Sequence, residues 1–220
     1  MGETVIILFD LDGTIIDSNE AILSTFHHAF EVHRFTQPSD EAIEELIGYP
    51  LDIMFAQLGV QEDQVWNFVD TYKQRYRTIF KEKTSLLLGA KEAVIEASKF
   101  ASLGIVTTKT GEYSTILMEH LGLMHYFDVL IGREHVEDPK PSAEPILKAL
   151  EHFNREDKEI WMIGDTKLDL LSAHNANIHS IGVLSGYDDK TILKKYTKYI
   201  FDDVYEAILF LSRKTTHLAE

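Results

Sequence analysis

The sequence predicts an α/β protein in which a doubly wound parallel sheet carries an inserted α-helical domain. From about Leu86 onward, short apolar runs alternate with helical patterns, which is the order expected of βαβ units. Residues 18–82 instead carry helical stripes and no convincing strand. Because the run VIILF precedes this helical block and the other candidate strands follow it, we expect the block to leave the sheet after its first strand and to return near Thr84.

Each candidate strand is a short apolar run bounded by polar or turn residues. After VIILF these runs are LGIVTT, FDVLIG, EIWMIG, IHSIGV and, near Ile200, the weaker run YIF. The spacing of apolar residues between the runs predicts helices at 89–101, 112–121, 142–153, 168–175 and 204–211. The predicted core domain therefore comprises residues 1–16 and 84–220, and the helical cap comprises residues 17–83.

The helical block contains two amphipathic stripes. Ser18 is a suitable N-cap for a helix whose apolar face carries Ile22, Phe26, Ala29, Phe30 and His33. A second, longer stripe consists of Val65, Trp66, Val69, Tyr72, Tyr76, Ile79 and Phe80. Its helical period predicts that the aromatic residues form the core of the cap itself. Two chain crossings beside the end of the first strand would also let the cap act as a lid.

Composition disfavours several classes of function. The formal net charge is −15, from 36 acidic and 21 basic residues, which disfavours binding to nucleic acid or to anionic membranes. Without cysteine the chain has no disulfide, thiolate nucleophile or zinc-thiolate site. No apolar run approaches the roughly 18 residues that span a bilayer, and the first residues lack a signal-peptide pattern, so we expect a cytoplasmic protein.

The first strand delivers two carboxylates to one place. In VIILFDLDGT, Asp10 and Asp12 point to the same side of an extended chain, so their charges repel unless a cation lies between them. Gly13 allows a sharp turn, and Thr14 is suited to hydrogen-bond the backbone there. For this pattern alone, a solvated turn after an edge strand is the alternative.

More polar groups follow other strands of the predicted sheet. These are Thr107, Thr108 and Lys109 after LGIV, Asp165 and Asp169 after IWMIG, and Lys140 in the loop DPKPS. Each alone has an ordinary explanation, as a strand threonine, a surface lysine, or a turn or cap aspartate. Because open parallel sheets bind ligands at the carboxyl ends of their strands, the joint arrival of these groups at one edge predicts a functional site.

With these motifs in this order, the chain resembles the haloacid dehalogenase-like (HAD) hydrolases, in the phosphoglycolate phosphatase-like branch with a small helical cap. FDLDGTIIDS is similar to the first motif, IVTTK to the second, the lysine of DPKPS to the third and IGDTKLD to the fourth. Together with IGVLSGY, the resemblance covers nearly the whole chain and implies a Rossmann-like core. Thr108 stands where many relatives have asparagine, and Asn177 where glycine is common; asparagine tolerates the left-handed conformation of a helix C-cap.

The resemblance implies Mg²⁺-dependent hydrolysis of a phosphate ester through a covalent aspartyl-phosphate. Asp10 would attack phosphorus, and Asp12 would act as general acid and then as general base. The implied Mg²⁺ ligands are the Asp10 carboxylate, the Asp12 backbone carbonyl and Asp165. Asp169 would be a further or more distant carboxylate of the same site.

The resemblance also implies which residues contact the substrate. Thr107 would hydrogen-bond a phosphoryl oxygen, and Lys140 would offset the shared negative charge. Thr108 is a further candidate contact in the core, and Gly48 and Tyr49, in ELIGYPLDIM, are candidates in the cap. For Gly48 a glycine that ends a helix is the structural alternative.

The substrate implied by the family is a small phosphorylated metabolite, with phosphoglycolate as the first candidate. Inorganic pyrophosphate competes, because GIVTTK and KPSAEPILKALE also resemble cap-bearing pyrophosphatases. A sugar-phosphate phosphatase or mutase is a third candidate. Asp12 argues against a dehalogenase, since a departing halide needs no acid. A catalytically silent binding module is the alternative from another class, and it would be expected to have lost Asp10, Asp12, Lys140 or the pair Asp165 and Asp169. The sequence does not decide between a monomer and a homodimer.

Overall fold

The computed structural model of the protein describes residues 5–217, so residues 1–4 of the predicted core and residues 218–220 lie outside the described part. Strands in this range are β1 Val5–Phe9, β2 Ile16–Asp17, β3 Ser85–Leu86, β4 Ala101–Val106, β5 Val129–Ile131, β6 Glu159–Gly164, β7 His179–Val183 and β8 Ile200–Phe201. Helices are α1 Asn19–Val32, α2 Asp40–Glu44, α3 Leu51–Gln57, α4 Val65–Ile79, α5 Ala90–Ala97, α6 Gly111–His120, α7 Glu144–Leu150, α8 Lys167–Asn175, α9 Lys190–Leu193 and α10 Val204–His217. Met124–Tyr126 and Arg133–His135 form short 3-10 helices.

The described residues form two compact units. The first contains the residues up to Ile16 and from Leu86 onward, and the second is Asp17–Ser85. β2 and β3 carry the chain across the boundary and pair with each other as a separate two-stranded sheet. In the described range, no helix combines the length and the apolar composition that a membrane crossing requires.

The first unit is built on a parallel sheet with the strand order β5-β4-β1-β6-β7-β8. β1 lies inside the sheet, with Val5 opposite Ala101 of β4 and Glu159 of β6. All five residues of β1 are buried, as expected of a strand covered on both faces. The chain winds outward from β1 in both directions, so the predicted α/β fold with a doubly wound parallel sheet is confirmed.

One face of this sheet packs against α7 and α8. Ile6 and Leu8 of β1 alternate with residues of the other face and join a buried apolar cluster. Helical members of that cluster are Ile146, Ala149 and Leu150 of α7 and Ala173 of α8. α7 is shorter than predicted, and the Ser142 hydroxyl accepts a hydrogen bond from Glu144 N at 3.2 Å, just before the helix. α10 continues beyond the predicted end at residue 211.

The second unit is helical and has an aromatic core. Phe55 of α3 contacts Phe26 and Phe30 of α1 and Phe68 of α4, with ring centroids 4.7 to 6.0 Å apart. Phe30 also contacts Phe68, at 5.2 Å. Tyr72 and Tyr76 are buried as predicted, whereas the prediction for Trp66 is wrong, because its residue is 62% exposed. Trp66 lies about 100° around the helix from buried Val65, so it points away from that face.

Two helix ends test the predicted caps. Ser18 precedes α1 but its side chain makes no capping hydrogen bond, and Asn19 N instead donates to Asp17 Oδ1 at 3.1 Å. Asn177 adopts the expected left-handed conformation, with φ of 54°. Behind it, Ile178 N donates to Ala173 O at 3.0 Å and Asn177 N donates to His174 O at 3.0 Å, which is the Schellman pattern that ends α8.

Candidate active site

The carboxyl ends of three adjacent strands carry the predicted site residues. Asp10 follows β1, Thr107 follows β4 and Asp165 follows β6. Their backbones continue the sheet by one step, because Asp10 N donates to Ile163 O and Thr107 N donates to Ile131 O, each at 2.9 Å. The sheet therefore fixes where these side chains start.

Three carboxylates meet at this edge. Asp10, Asp165 and Asp169 each offer an oxygen that lies within 4.8 Å of the others, and all three residues are buried. Asp169 joins the group because α8 starts directly after β6 and places its third residue beside the strand end. The cluster matches the hypothesis that these aspartates share one site.

Lys140 is the cation inside the cluster. Its Nζ lies 2.9 Å from Asp10 Oδ1 and 2.6 Å from Asp169 Oδ1, and it donates to Val106 O at 3.1 Å. Burial alone would lower the pKa of the Lys140 ammonium, but the two carboxylates reverse that effect and raise it above its usual value. Lys140 is therefore positively charged and fixed beside the end of β4.

The carboxylates carry more negative charge than Lys140 offsets. Burial raises the pKa of Asp10 to about 7, against the opposing effect of Lys140, and the charges of Asp169 and Asp12 act in the same direction as burial. The pKa of Asp165 is also raised well above its usual value, first by burial and then by the charges of Asp169 and Asp10. Such a site favours either a proton or a second cation.

Asp165 is held on two sides by backbone and hydroxyl groups. Thr14 Oγ1 donates to Asp165 Oδ1 at 2.9 Å, and Tyr187 N donates to Asp165 Oδ2 at 3.0 Å. A Cβ atom on Gly13 or on Gly186 would overlap Asp165 Oδ2. Gly13 also has a φ of 79°, so the sharp turn predicted after Asp12 is present. The two loops can thus approach the Asp165 carboxylate this closely only because each has a glycine, Gly13 or Gly186, at the point of contact.

Asp169 has both oxygens engaged by the protein. Its Oδ1 accepts from Lys140, and its Oδ2 accepts from Thr166 N at 3.0 Å and from Thr166 Oγ1 at 2.7 Å. These bonds close the first turn of α8 and point Lys140 toward Asp10. Asp169 therefore acts mainly on Lys140, which suits a position farther from a bound metal than those of Asp10 and Asp165.

Asp12 lies beside a different lysine. Lys109 Nζ is 3.2 Å from Asp12 Oδ1, and both side chains are largely buried, with 10% and 14% exposed. Lys109 N also donates to Thr107 Oγ1 at 3.1 Å. The two neighbouring aspartates are thus each balanced by a separate lysine from a separate loop. Thr108, between these residues, is half-buried.

The donor set fits a hard divalent cation. Among the described residues, Asp10 Oδ1 is buried and accepts no well-directed hydrogen bond, even though Lys140 Nζ lies 2.9 Å away. Carboxylate oxygens are the ligands preferred by Mg²⁺ and Ca²⁺ in proteins. A cation at Asp10 and Asp165 would relieve the charge that raises the pKa of both.

Gly48 and Tyr49 belong to the second unit. They lie in the turn between α2 and α3, where Gly48 has a φ of 107° and Ile47 and Tyr49 form an isolated bridge. Gly48 lies four residues after the last residue of α2, and Glu45 is the C-cap, so Gly48 does not end that helix. Their role in substrate binding stays a prediction.

Sequence reasoning missed several contacts of the site. Thr14 bonds Asp165 rather than the local backbone, the loop with Gly186 closes over Asp165, and Lys109 pairs with Asp12. The available signal was positional, because Lys109 and Gly186 each lie within three residues of the end of a predicted strand. The contacting partners, however, lie far apart along the chain: Lys109 is 97 residues from Asp12, and Thr14 is 151 residues from Asp165.

Comparison with known proteins shows the family of this chain. The haloacid dehalogenase-like hydrolase family model matches residues 7–183. Pyrophosphatase PpaX of Bacillus pumilus is 33% identical over 190 residues, which cover 83% of this chain and 85% of that protein. Pyrophosphatase PpaX of Halalkalibacterium halodurans is 34% identical over 174 residues, with coverage of 78% and 80%.

A solved structure shows the same fold. A haloacid dehalogenase-like family hydrolase from Streptococcus pneumoniae superposes with a TM-score of 0.84 at 28% identity, over 96% of this chain and 100% of that one. The predictions of the family and of a hydrolytic enzyme are confirmed by these matches. With a family model that spans most of its length and relatives above 30% identity, this chain belongs to the haloacid dehalogenase-like hydrolase family.

Proposed function

We propose that this chain is a Mg²⁺-dependent phosphatase that hydrolyses a small phosphorylated metabolite through an aspartyl-phosphate intermediate. The observation that carries the proposal is the buried arrangement of Asp10, Asp165, Asp169 and Lys140 at one edge of the sheet. It combines a nucleophilic carboxylate, a fixed ammonium and oxygen ligands for a cation, which are the groups that phosphoryl transfer requires.

Asp10 is the proposed nucleophile. One oxygen of its carboxylate attacks phosphorus, and the bond from phosphorus to the leaving oxygen breaks. Lys140, 2.9 Å from Asp10, offsets the negative charge that the carboxylate and the phosphoryl oxygens bring together. The proton on Thr107 Oγ1 is available to a phosphoryl oxygen, because that hydroxyl uses its oxygen to accept from Lys109 N.

Asp12 is the proposed acid and base. As an acid it gives its proton to the departing oxygen, and as a base it takes a proton from the water that later attacks phosphorus. That second attack breaks the bond between Asp10 and phosphorus and restores the free carboxylate. Lys109, 3.2 Å from Asp12, is placed to orient the Asp12 side chain during both steps.

Mg²⁺ is the proposed cofactor. The residues that would hold it are the Asp10 carboxylate, the Asp12 backbone carbonyl and Asp165, with Asp169 farther out. When bound it would neutralise charge on the phosphoryl oxygens and relieve the repulsion between Asp10 and Asp165. Thr14 and Tyr187 N keep Asp165 oriented for that role.

Inorganic pyrophosphate is the substrate that similarity now favours, ahead of phosphoglycolate. Two relatives above 30% identity are named pyrophosphatase. The structural neighbours named for phosphoglycolate phosphatase are about 20% identical and support only the fold. Phosphoglycolate and sugar phosphates therefore stay as candidates behind pyrophosphate, and a silent binding module is disfavoured because Asp10, Asp12 and Lys140 are all present.

The test is phosphate release from pyrophosphate, 2-phosphoglycolate, hexose phosphates, nucleotides and an aryl phosphate, each with Mg²⁺ and with chelator. We expect Mg²⁺-dependent release with the highest kcat/KM on pyrophosphate. A preference for another compound would keep the phosphatase and reject the substrate. No release from any compound, in protein that is folded and binds Mg²⁺, would contradict the proposed function.

A further inference from the structure

A short segment after β5 lies directly on the start of α6. The segment is residues 132–136, and we name it the β5 brace. At its first residue, a Cβ atom on Gly132 would overlap Gly111 N and would lie 2.9 Å from Lys109 O. This backbone-to-backbone approach places the β5 brace against residues 107–109. They carry Thr107, which is proposed to contact the phosphoryl group, and Lys109, which is proposed to orient Asp12.

Glu134 supplies the main polar contact of the β5 brace. Its Oε2 accepts from Gly111 N at 2.8 Å, and its Oε1 accepts from Glu112 N at 3.2 Å. Thr110 precedes α6 but its side chain makes no capping bond. The Glu134 carboxylate, 23 residues after Gly111, accepts from these N–H groups instead. Burial would raise the pKa of Glu134, but hydrogen bonds from Gly111, Glu134 itself and Glu112 lower it below its usual value.

The backbone of the β5 brace makes a second contact, directly to Lys109. Arg133 N donates to Lys109 O at 3.0 Å, one residue before Glu134. Lys109 in turn donates its N–H to Thr107 Oγ1 and places its Nζ 3.2 Å from Asp12 Oδ1. The backbone of Lys109 is thus held at its own carbonyl by Arg133 N. It is also held through Gly111 N and Glu112 N, which Glu134 anchors.

We propose that Glu134 is a positioning residue, which acts through the start of α6 to hold Lys109 against Asp12. Without the carboxylate, the first turn of α6 loses the acceptor for two N–H groups. Of these contacts from the β5 brace, only the bond from Arg133 N to Lys109 O is left. A displacement of about 1 Å at a reacting group is enough to lower a rate by up to about 100-fold. The inference rests on the proposed function.

The test compares Glu134→Gln with Glu112→Gln. Both remove one negative charge near the start of α6, so Glu112→Gln controls for the helix dipole. Only Glu134→Gln also replaces one of the two oxygens that accept Gly111 N and Glu112 N with an NH2 group, which cannot accept. We expect Glu134→Gln to lower kcat for Mg²⁺-dependent phosphate release by at least about fivefold with little change in the melting temperature. Glu112→Gln should stay within about twofold of the starting protein.

A double-mutant cycle tests whether the effect passes through Lys109. In the Lys109→Met background, Glu134→Gln should lower kcat no further, because the group that it positions is gone. Independent, multiplying effects of the two substitutions would overturn the inference. So would a Glu134→Gln protein with unchanged kcat.

Hydrogen exchange separates this inference from the proposed function. In Glu134→Gln, amide exchange at residues 111 and 112 should speed up relative to both the starting protein and Glu112→Gln. Should the starting protein release no phosphate, the proposed function fails, and the exchange rates still decide whether Glu134 anchors the loop. Unchanged exchange at these two amides would overturn the anchoring.

Discussion

The two units of this chain bury different chemistry. Among the described residues, every buried charged side chain lies in the first unit: Asp10, Lys140, Asp165 and Asp169. The second unit buries rings instead: Phe55 contacts Phe26, Phe30 and Phe68, and Phe30 also contacts Phe68. Removing charge from water is unfavourable unless the groups are paired, whereas burying a ring is favourable by itself. The difference teaches that the rings stabilise the second unit, whereas the buried charges of the first unit oppose stability and fit the proposed catalytic site.

The largest expected effect comes from the nucleophile. Asp10→Asn removes the attacking carboxylate, so phosphate release should fall by at least about 1,000-fold. The fold of this variant should survive, because the amide is nearly the same size as the carboxylate. Burial already disfavours the charge of Asp10, whose pKa it raises to about 7, so removing that charge should cost little stability. Initial rates and a thermal melt of the same sample check both halves. Substantial residual turnover would contradict the assignment of Asp10.

In the aromatic core of the second unit, a substitution should lower stability, whereas Asp10→Asn lowers activity. Phe68→Ala should lower the free energy of unfolding by about 3–5 kcal/mol, because it leaves a cavity among four other rings. Trp66→Ala, two residues earlier on the same helix, is the matched control and should change it by less than about 0.5 kcal/mol. Urea unfolding measures both, and equal effects would show that the exposed side of α4 also contributes to the core.

Addition of Mg²⁺ tests the buried carboxylates of the first unit. Mg²⁺ should raise the melting temperature of the starting protein, with a stabilisation of about 2.7 kcal/mol at a concentration 100 times its Kd. The reason is that the cation relieves repulsion among carboxylates whose pKa values are raised. Chelator should reverse the shift. Asp165→Asn should show little shift, and a full shift in that variant would exclude Asp165 as a ligand.

The smallest effect is expected for a charge that is only half-buried. Glu159 pairs with Lys214 and accepts from Trp161 Nε1 at 3.1 Å. Burial opposes ionisation, but the bonds from Lys214 and Trp161 lower the pKa of Glu159. The pair therefore stabilises the fold above the ordinary pKa of 4.5, and this contribution is lost as pH falls below that value.

Glu159→Gln isolates that contribution. At pH 7 it should lower stability by less than about 1 kcal/mol, and its difference from the starting protein should shrink as the pH is lowered from 5 toward 3. Parallel melts across this range measure the difference. A gap that widens on acidification would contradict the lowered pKa.

The sequence was sufficient where information is local. The apolar run VIILF identifies β1, EIWMIG identifies β6 with its observed bounds, and the residues that follow them identify the candidate site. Contacts between distant loops could not be read in this way. The bond between Thr14 and Asp165 joins residues 151 apart, and nothing in the local pattern around either one specifies the other.

Errors within a single element have a different origin. The helical period of the stripe predicts Trp66 in the core of the cap, but Phe68 occupies that face and Trp66 is exposed. Ser18 has the right residue type for a cap, yet Asp17 makes the bond. Residue type identifies candidates for a position, and the packing and hydrogen bonds of the folded chain select among them.

The interior place of β1 also has a consequence for biosynthesis. VIILF is the first strand of the sheet to leave the ribosome, but its two partners, β4 and β6, are completed about 100 and 150 residues later. At translation rates of about 5–20 residues per second, this apolar strand waits roughly 8 to 30 seconds before both neighbours exist. The whole second unit is synthesised during the wait. An unpaired, wholly apolar strand is a binding site for chaperones, so yield in a cell should depend on them more than the stability of the finished protein suggests.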